Sequence, residues 1–400
     1  MLLQERTDNM RVLLNTDNMG TETQVVFWDS TDIDDRSSAE EVRKFWSDPN
    51  NFSGFAAGLS QRITEKCGSA DKVKQLKWLK NRNIEEKTNI SDKTLGNWLK
   101  ERVDPQSNEN ARENMFKLCF ILKYDYEQTA DFFRRVYLAR PFNYRNLEEC
   151  VYAFCMKNSL GYSKAIDIIG KISVPAAKAS DKATAALMKE ITSITDEQSL
   201  ITYLSANCDE FTNCSRTARN IITELSQKLS PQKEKRDNLI PWDDYPQYQN
   251  KNIDHALIIL QEALGLRIRK LYENDKITIQ DSPFFLASVK YAFPHWQTYG
   301  KILKGDYSSP EAMRKLIILL HFYCFWKTLC DDHTREYVSG SGFNAYQDEI
   351  NNLLCKAGYS EMYFRNPYDG LFLYAASTDD PLYNFQNVFE AMFHEKNLIE

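Results

Sequence analysis

The feature that most constrains the fold is a helical spacing of apolar residues that begins near Phe52 and continues through the chain. In such stretches as "FKLCFILKYDYEQTADFFRRVYL", apolar residues recur three and four positions apart, which places them on one helix face. Only 14 Gly and 12 Pro occur among 400 residues, too few for a turn-rich β architecture. We therefore expect an all-α fold. The predicted inward-facing residues include Met115, Leu118, Cys119, Leu122, Phe132, Phe133, Val136, Leu147, Val151, Phe154 and Cys155.

A short helix with two different faces is predicted in "TNISDKTLGNWLKERVDP". Ser91 suits the N-cap and Asp92 suits the first turn, because oxygen atoms and negative charge complement the unpaired N–H groups there. Leu95, Trp98 and Leu99 would then share one face, with Ile90 beneath them. Gly96 lowers helix propensity, so we expect it where a partner helix or a nucleic-acid backbone approaches closely.

The opposite face of this helix carries hydrogen-bond donors, as reading of the major groove requires. Upstream, "DKVKQLKWLKNRN" predicts a basic amphipathic helix whose apolar side contains Val73, Leu76, Trp78 and Leu79. In that geometry it would lie across the DNA backbone. Pro105 would prevent the short helix from continuing.

The stretch "NISDKTLGNWLKERVDPQSNENARENMFKLCFILKYDYEQTADFF" resembles the second half of an Xre/lambda-repressor-like helix-turn-helix domain. The resemblance covers about residues 70–135 and implies a DNA-binding domain. It places Asp92, Lys93, Thr94 and Asn97 in base-facing positions, and Lys100 and Arg102 near phosphate groups.

Two departures from that family bear on the site. The turn "IEEKTNI" is longer and more acidic than is usual there, and Asp92 stands where an uncharged residue is more common. A carboxylate can accept a hydrogen bond from cytosine N4, or it can mark a domain that no longer binds DNA. Both alternatives stay open at this stage.

Composition and charge suggest five segments. The net charge of −6 is concentrated in residues 1–50, whereas the segment from Lys72 to Arg102 is basic. A confined basic segment in an acidic chain indicates a local nucleic-acid contact. We predict an acidic arm, a helix-turn-helix-like domain, a helical bundle, a Pro-broken linker and a C-terminal helical domain. Their predicted ranges are 1–51, 52–140, 141–230, 231–252 and 253–400. We identify no internal repeat.

Residues with catalytic or metal-binding chemistry form no specific motif. His321, Cys324, Cys330 and His333 have spacings that can close a zinc site. However, Cys324 lies in the apolar run "LIILLHFYCFW", where a free cysteine normally fills the core. That run is too short to span a bilayer, and we predict a buried helix there. The glycines of "SGSGF" lack the lysine of a phosphate-binding loop. We therefore predict no metal, no cofactor and no enzymatic activity.

Two functions remain open. Stretches around "FNYRNLEECVYAFC" and "RNPYDGLFLYAAS" resemble a large uncharacterised bacterial family, which implies no specific function. The first hypothesis is a cytoplasmic, sequence-specific transcriptional regulator whose helical remainder senses a signal or dimerises. The second is a protein-interaction scaffold, associated with mobile elements or phage defence, whose helix-turn-helix-like bundle is structural. The expected partner is double-stranded DNA, with no membrane. A homodimer and a protein partner of the C-terminal lobe are left open.

Overall fold

A computed structural model of the chain contains fifteen α-helices and one short 3-10 helix among the residues it describes, with no strand in that part. This confirms the all-α prediction. The described residues are 54–100, 109–173, 184–211, 215–229, 296–305, 310–331, 341–378 and 380–393, together with Glu41, 44–46, Asp48, Phe52, Lys182 and Pro294. The predicted linker, 231–252, and most of the predicted arm lie outside them, so the five-segment division stays a prediction.

The chain divides into two compact units, and one of them contains residues 53–215. Its helices are α1 (Phe55–Cys67), α2 (Lys72–Glu86), α3 (Asp92–Trp98), α4 (Glu109–Ile121), α5 (Tyr126–Arg135), α6 (Leu147–Lys157), α7 (Tyr162–Lys171), α8 (Thr184–Ser193) and α9 (Glu197–Ala206), followed by the 3-10 helix Cys208–Glu210. The predicted core faces of α4, α5 and α6 are buried, except that Leu147 is half-buried.

The other unit contains the described residues from Arg216 onward and those around Trp46. Its helices are α10 (Arg216–Lys228), α11 (Trp296–Lys304), α12 (Pro310–Asp331), α13 (Ser341–Lys356), α14 (Pro367–Ser377) and α15 (Pro381–Phe393). Trp46, from the predicted acidic arm, is fully buried here and stacks on Phe52 at a centroid distance of 4.9 Å.

The apolar run from Leu316 to Trp326 lies within α12, and its aliphatic residues 316–320 are completely buried. This confirms the prediction of a core helix. Among the described helices, none is long and apolar enough to cross a membrane.

The two units contain a repeated arrangement, and this corrects our reading that the sequence has no internal repeat. In the first unit, Arg112 on α4 donates from Nε and Nη2 to the two carboxylate oxygens of Glu149, both at 2.7 Å. Arg112 also donates to the carbonyl oxygens of Arg140 and Pro141, each at 2.8 Å. Three further positions therefore meet at a single guanidinium group.

The second unit repeats this arrangement at Arg314 on α12. Its Nη1 and Nη2 donate to Asp369 at 2.8 and 2.6 Å. It also donates to the carbonyl oxygens of Ser360 and Glu361, at 3.4 and 3.1 Å. These carbonyls stand nine and eight residues before the acid, as Arg140 and Pro141 do in the first unit. We call each of these two arrangements an Arg–acid pair.

Backbone details around the two acids also correspond. An asparagine three residues before each acid, Asn146 or Asn366, caps the helix that follows. A residue with positive φ stands eleven positions before each acid, Leu138 at 55° and Gly358 at 80°. We therefore name residues 109–171 (α4–α7) the N-terminal copy and residues 310–393 (α12–α15) the C-terminal copy.

Aromatic packing supports the same correspondence. Phe120, eight residues after Arg112, meets the Tyr152 ring edge-on at 5.8 Å and 79°. Phe322, eight residues after Arg314, meets Phe372 at 5.1 Å and 74°. Tyr152 and Phe372 each stand three residues after the acid. The sequence similarity was missed because few side chains are identical, although their contacts are equivalent.

Candidate nucleic-acid interface

Helix α3 begins where the sequence predicted, at Asp92, and its N-cap is Ser91. The Ser91 hydroxyl oxygen accepts a hydrogen bond from the backbone N–H of Thr94 at 3.1 Å. Such a cap satisfies one of the four N–H groups that a helix start leaves unpaired. The helix is seven residues long, so its stability depends on the packing of its inner face.

The inner face of α3 is anchored as predicted. Leu95 is fully buried, Trp98 and Leu99 are nearly so, and Ile90 is 5% exposed beneath them. The Trp98 ring lies 6.3 Å from that of Phe55 on α1, in an edge-on arrangement. Because these large side chains have no room to move independently, the outer face of α3 is held in a fixed orientation.

Asn83 holds the turn between α2 and α3. Its amide nitrogen donates to the Ile90 carbonyl at 2.8 Å, and its amide oxygen accepts from the Ile90 N–H at 3.1 Å and from the Thr88 hydroxyl. Lys87 and Asn89 have positive φ, at 55° and 57°, which lets the chain change direction within a few residues. Helix α2 extends to Glu86, so the turn is Lys87–Ser91 and shorter than the sequence suggested.

A second buried amide, Gln75, joins α2 to α1. Its side-chain nitrogen donates to the Thr64 hydroxyl at 2.9 Å and to the Ser60 carbonyl at 3.1 Å, and its oxygen accepts from the Ser60 hydroxyl at 3.0 Å. Gln75 is completely buried, so water could take over these hydrogen bonds only if α1 and α2 separated.

The buried side of α2 matches the predicted one only in part, since Leu79 is buried as predicted while Leu76 and Trp78 are half-buried. Gln75, Leu79 and Asn83 face inward, whereas Val73 is 78% exposed. Sequence reasoning selected apolar residues and therefore missed the two amides. Their spacing of four and eight residues along one helix face, with Leu79 between them, was the signal that could have identified them.

The outer face of α3 presents most of the predicted DNA-contacting residues together. Asp92 and Lys93 on the helix and Lys100, two residues beyond its end, are exposed, and Thr94 and Asn97 are partly exposed. The Asp92 carboxylate is 2.8 Å from Nζ of Lys80, on α2. The ion pair neutralises the carboxylate that distinguishes this chain from the family pattern. Arg102 lies outside the described residues.

Gly96 is not required by packing within the described chain. A Cβ atom built on it would meet only the Leu76 side chain, at 3.9 Å, an ordinary van der Waals distance. The partner-helix explanation that the sequence left open therefore has no counterpart among the described residues.

Two of the four candidate metal residues, His321 and Cys324, are buried. Burial, with a smaller contribution from the positive charge of Lys228, lowers the pKa of His321 to about 4. Burial raises the pKa of Cys324 to about 12, so the thiolate that zinc binding requires does not form readily. The side chain of Cys330 and all of His333 lie outside the described residues. Within the part the structure describes, no three potential ligands cluster together.

Comparisons with protein families, with curated proteins and with solved structures found no match to this chain.

Proposed function

We propose that the chain is a sequence-specific transcriptional regulator that binds double-stranded DNA through α3. The observation that carries the proposal is the contrast between the two faces of this helix. Its inner face is fixed by buried Leu95 and Trp98, while Lys93, Asn97 and Lys100 face outward. A rigid helix with hydrogen-bond donors on its free face is what reading of base edges in the major groove needs.

The roles of the outer residues follow from their chemistry. An asparagine amide pairs with the N6 and N7 edge of adenine, so Asn97 is the base-reading residue. Lysine is a compact point charge on a flexible stem, which suits phosphate contact by Lys100 and also by Lys93, in place of the base-facing role that the resemblance implies. With Asp92 paired to Lys80, the surface around the helix retains a positive balance. The helical remainder would dimerise or sense a signal.

The proposal is tested by measuring how the full chain binds genomic duplex fragments as salt is varied. Asn97→Ala should weaken binding to the preferred sequence by about 1–3 kcal/mol and leave binding to other sequences unchanged. Lys100→Ala should weaken binding to all sequences alike and lower the salt dependence by roughly one unit of slope.

Lys189→Ala is the matched control, because Lys189 is an exposed lysine on α8 of the same unit. It should bind as wild type does. If wild type binds no duplex at low salt, the regulator proposal fails. The structural-scaffold hypothesis then stands.

A further inference from the structure

The repeat extends upstream of the Arg–acid pairs, into the segment that contains α3. Residues 94–100 read Thr-Leu-Gly-Asn-Trp-Leu-Lys, and residues 298–304 read Thr-Tyr-Gly-Lys-Ile-Leu-Lys. Four of the seven positions are identical. The first segment ends twelve residues before Arg112 and the second ends ten residues before Arg314, so their distances from the arginine differ by two residues.

The two segments match in burial at four of the seven positions. Leu95 and Tyr299 correspond and are both completely buried, and Trp98 corresponds to Ile302, which is 1% exposed. Lys100 and Lys304 correspond and are both exposed. At the other three pairs the exposure differs, so the two segments agree at their two main buried positions and at their final lysine.

Helix α11 is anchored by its own contacts within the C-terminal unit. The Tyr299 hydroxyl donates to the side-chain oxygen of Ser226 on α10, and both groups are buried. The chain leaves the helix at Gly305, whose φ of 82° is the left-handed conformation that ends a helix. A Cβ atom there would lie 2.5 Å from the Arg219 guanidinium, which would have to shift, and the positive φ itself disfavours any residue with a side chain.

The outer face of α11 is more basic than that of α3. Lys301 stands at the position of Asn97 and is exposed, as is Lys304. No described carboxylate pairs with either lysine, whereas α3 carries Asp92, which pairs with Lys80 of α2. Two lysines without an amide between them suit phosphate contact better than base reading.

We propose that α11 is a second nucleic-acid-contacting helix, which binds the phosphate backbone of duplex DNA through Lys301 and Lys304. This inference rests on the proposed function of α3. It gives the C-terminal unit a binding role of its own. Under this proposal α3 supplies sequence preference, and α11 supplies affinity that depends on salt but not on sequence.

The test compares two double variants of the full chain on a random-sequence duplex over a range of salt concentrations. The α11 variant, Lys301→Gln with Lys304→Gln, should lower the slope of log affinity against log salt by about two, since each lost phosphate contact lowers it by roughly 0.9. The α3 variant, Lys93→Gln with Lys100→Gln, should give a similar reduction. Thermal melting should be unchanged for both, because all four side chains are exposed.

The control is Lys356→Gln, an exposed lysine in the last turn of α13 in the same unit as α11. The inference is overturned if the α11 variant has the affinity and salt slope of this control while both quantities are reduced in the α3 variant. The proposed function of α3 would then stand. If wild type binds no duplex, the inference and the proposed function both fail.

Discussion

The N-terminal and C-terminal copies share an Arg–acid pair but differ at the arginine four residues before the acid. In the N-terminal copy this is Arg145, which is 3% exposed and donates to the Glu210 carboxylate at 2.9 Å. It also donates to the hydroxyl of Thr184 and to the carbonyl of Lys182. In the C-terminal copy it is Arg365, which is exposed and has no bonding partner among the described residues.

The Arg–acid pair is common to both copies, whereas the buried contacts of Arg145 occur in the N-terminal copy. The Arg–acid pair ties one helix to the loop and the N-terminal end of another, and both copies keep it. Arg145 instead ties its copy to α8 and to the 3-10 helix that ends at Glu210, a segment following α7. The arginine is thus present in both copies and is used structurally in one.

The largest expected effect is the loss of an Arg–acid pair. Arg314→Ala should destabilise the chain by roughly 3–5 kcal/mol, because Asp369 would remain buried without its partner. Arg112→Ala should cost somewhat less, since the Arg112 side chain is 14% exposed against 5% for Arg314. Chemical denaturation measures both. A cost below about 1 kcal/mol at either site would mean that the two pairs are not equivalent.

The second effect concerns the arginine that differs between the copies. Arg145→Ala should cost about 3 kcal/mol, at the lower end of the range for a broken buried pair, because water can reach the 10% exposed Glu210 side chain. Arg365→Ala should change stability by less than about 0.5 kcal/mol. Equal costs at the two positions in the same denaturation assay would remove the distinction between them.

The third effect is a pH dependence confined to the C-terminal copy. His321 stands seven residues after its arginine, where the N-terminal copy has Cys119. Burial holds its pKa near 4, although Nε2 lies 3.8 Å from the mostly exposed Glu349 carboxylate. The unfolded histidine has a pKa of about 6.5, so between these values the unfolded chain binds more protons.

The contribution of His321 to the free energy of unfolding should therefore be fully present above about pH 6.5. It should decrease as the pH drops toward 4, by at most about 3 kcal/mol. The measurement is the free energy of unfolding from pH 4 to 7 for wild type and for His321→Leu. The variant should have a flatter profile over that window. An unchanged profile would show that His321 does not titrate differently in the folded chain.

The smallest effect distinguishes stability from function at α3. Gly96→Ala should stabilise the chain by up to about 1 kcal/mol, since alanine has the higher helix propensity and the added Cβ fits. The same change should weaken DNA binding if the backbone of the nucleic acid approaches there. Melting and binding are measured on the same preparation. A variant that is more stable and binds DNA as well as wild type would contradict close approach at Gly96.

Local features of the fold could be predicted from sequence, because they depend on neighbouring residues. Ser91, as the N-cap of α3, and the buried Leu95 and Trp98 follow from residues only a few positions apart. The Arg–acid pairs could not be predicted in this way. Arg112 and Glu149 are 37 residues apart, and Arg314 and Asp369 are 55 apart, so only the folded chain brings them together.

The buried amides were missed for a different reason. A polar residue is expected at the surface unless a specific partner satisfies it, and the partners of Gln75 lie on α1 and in the loop after it. The repeat was overlooked because it is preserved in a few positions only. The motif Arg-Asn-x-x-acid at 145–149 and 365–369 was the visible signal.

The central claim is that each copy is preceded by a helix that contacts DNA, and lysine footprinting of the full chain tests it most directly. The chain would be acylated with and without duplex DNA, and modification at each lysine read by mass spectrometry. We expect DNA to protect Lys93 and Lys100 near α3 and Lys301 and Lys304 on α11, and to leave the exposed Lys189 and Lys356 unchanged. Equal reactivity of the four α3 and α11 lysines with and without DNA would contradict the account.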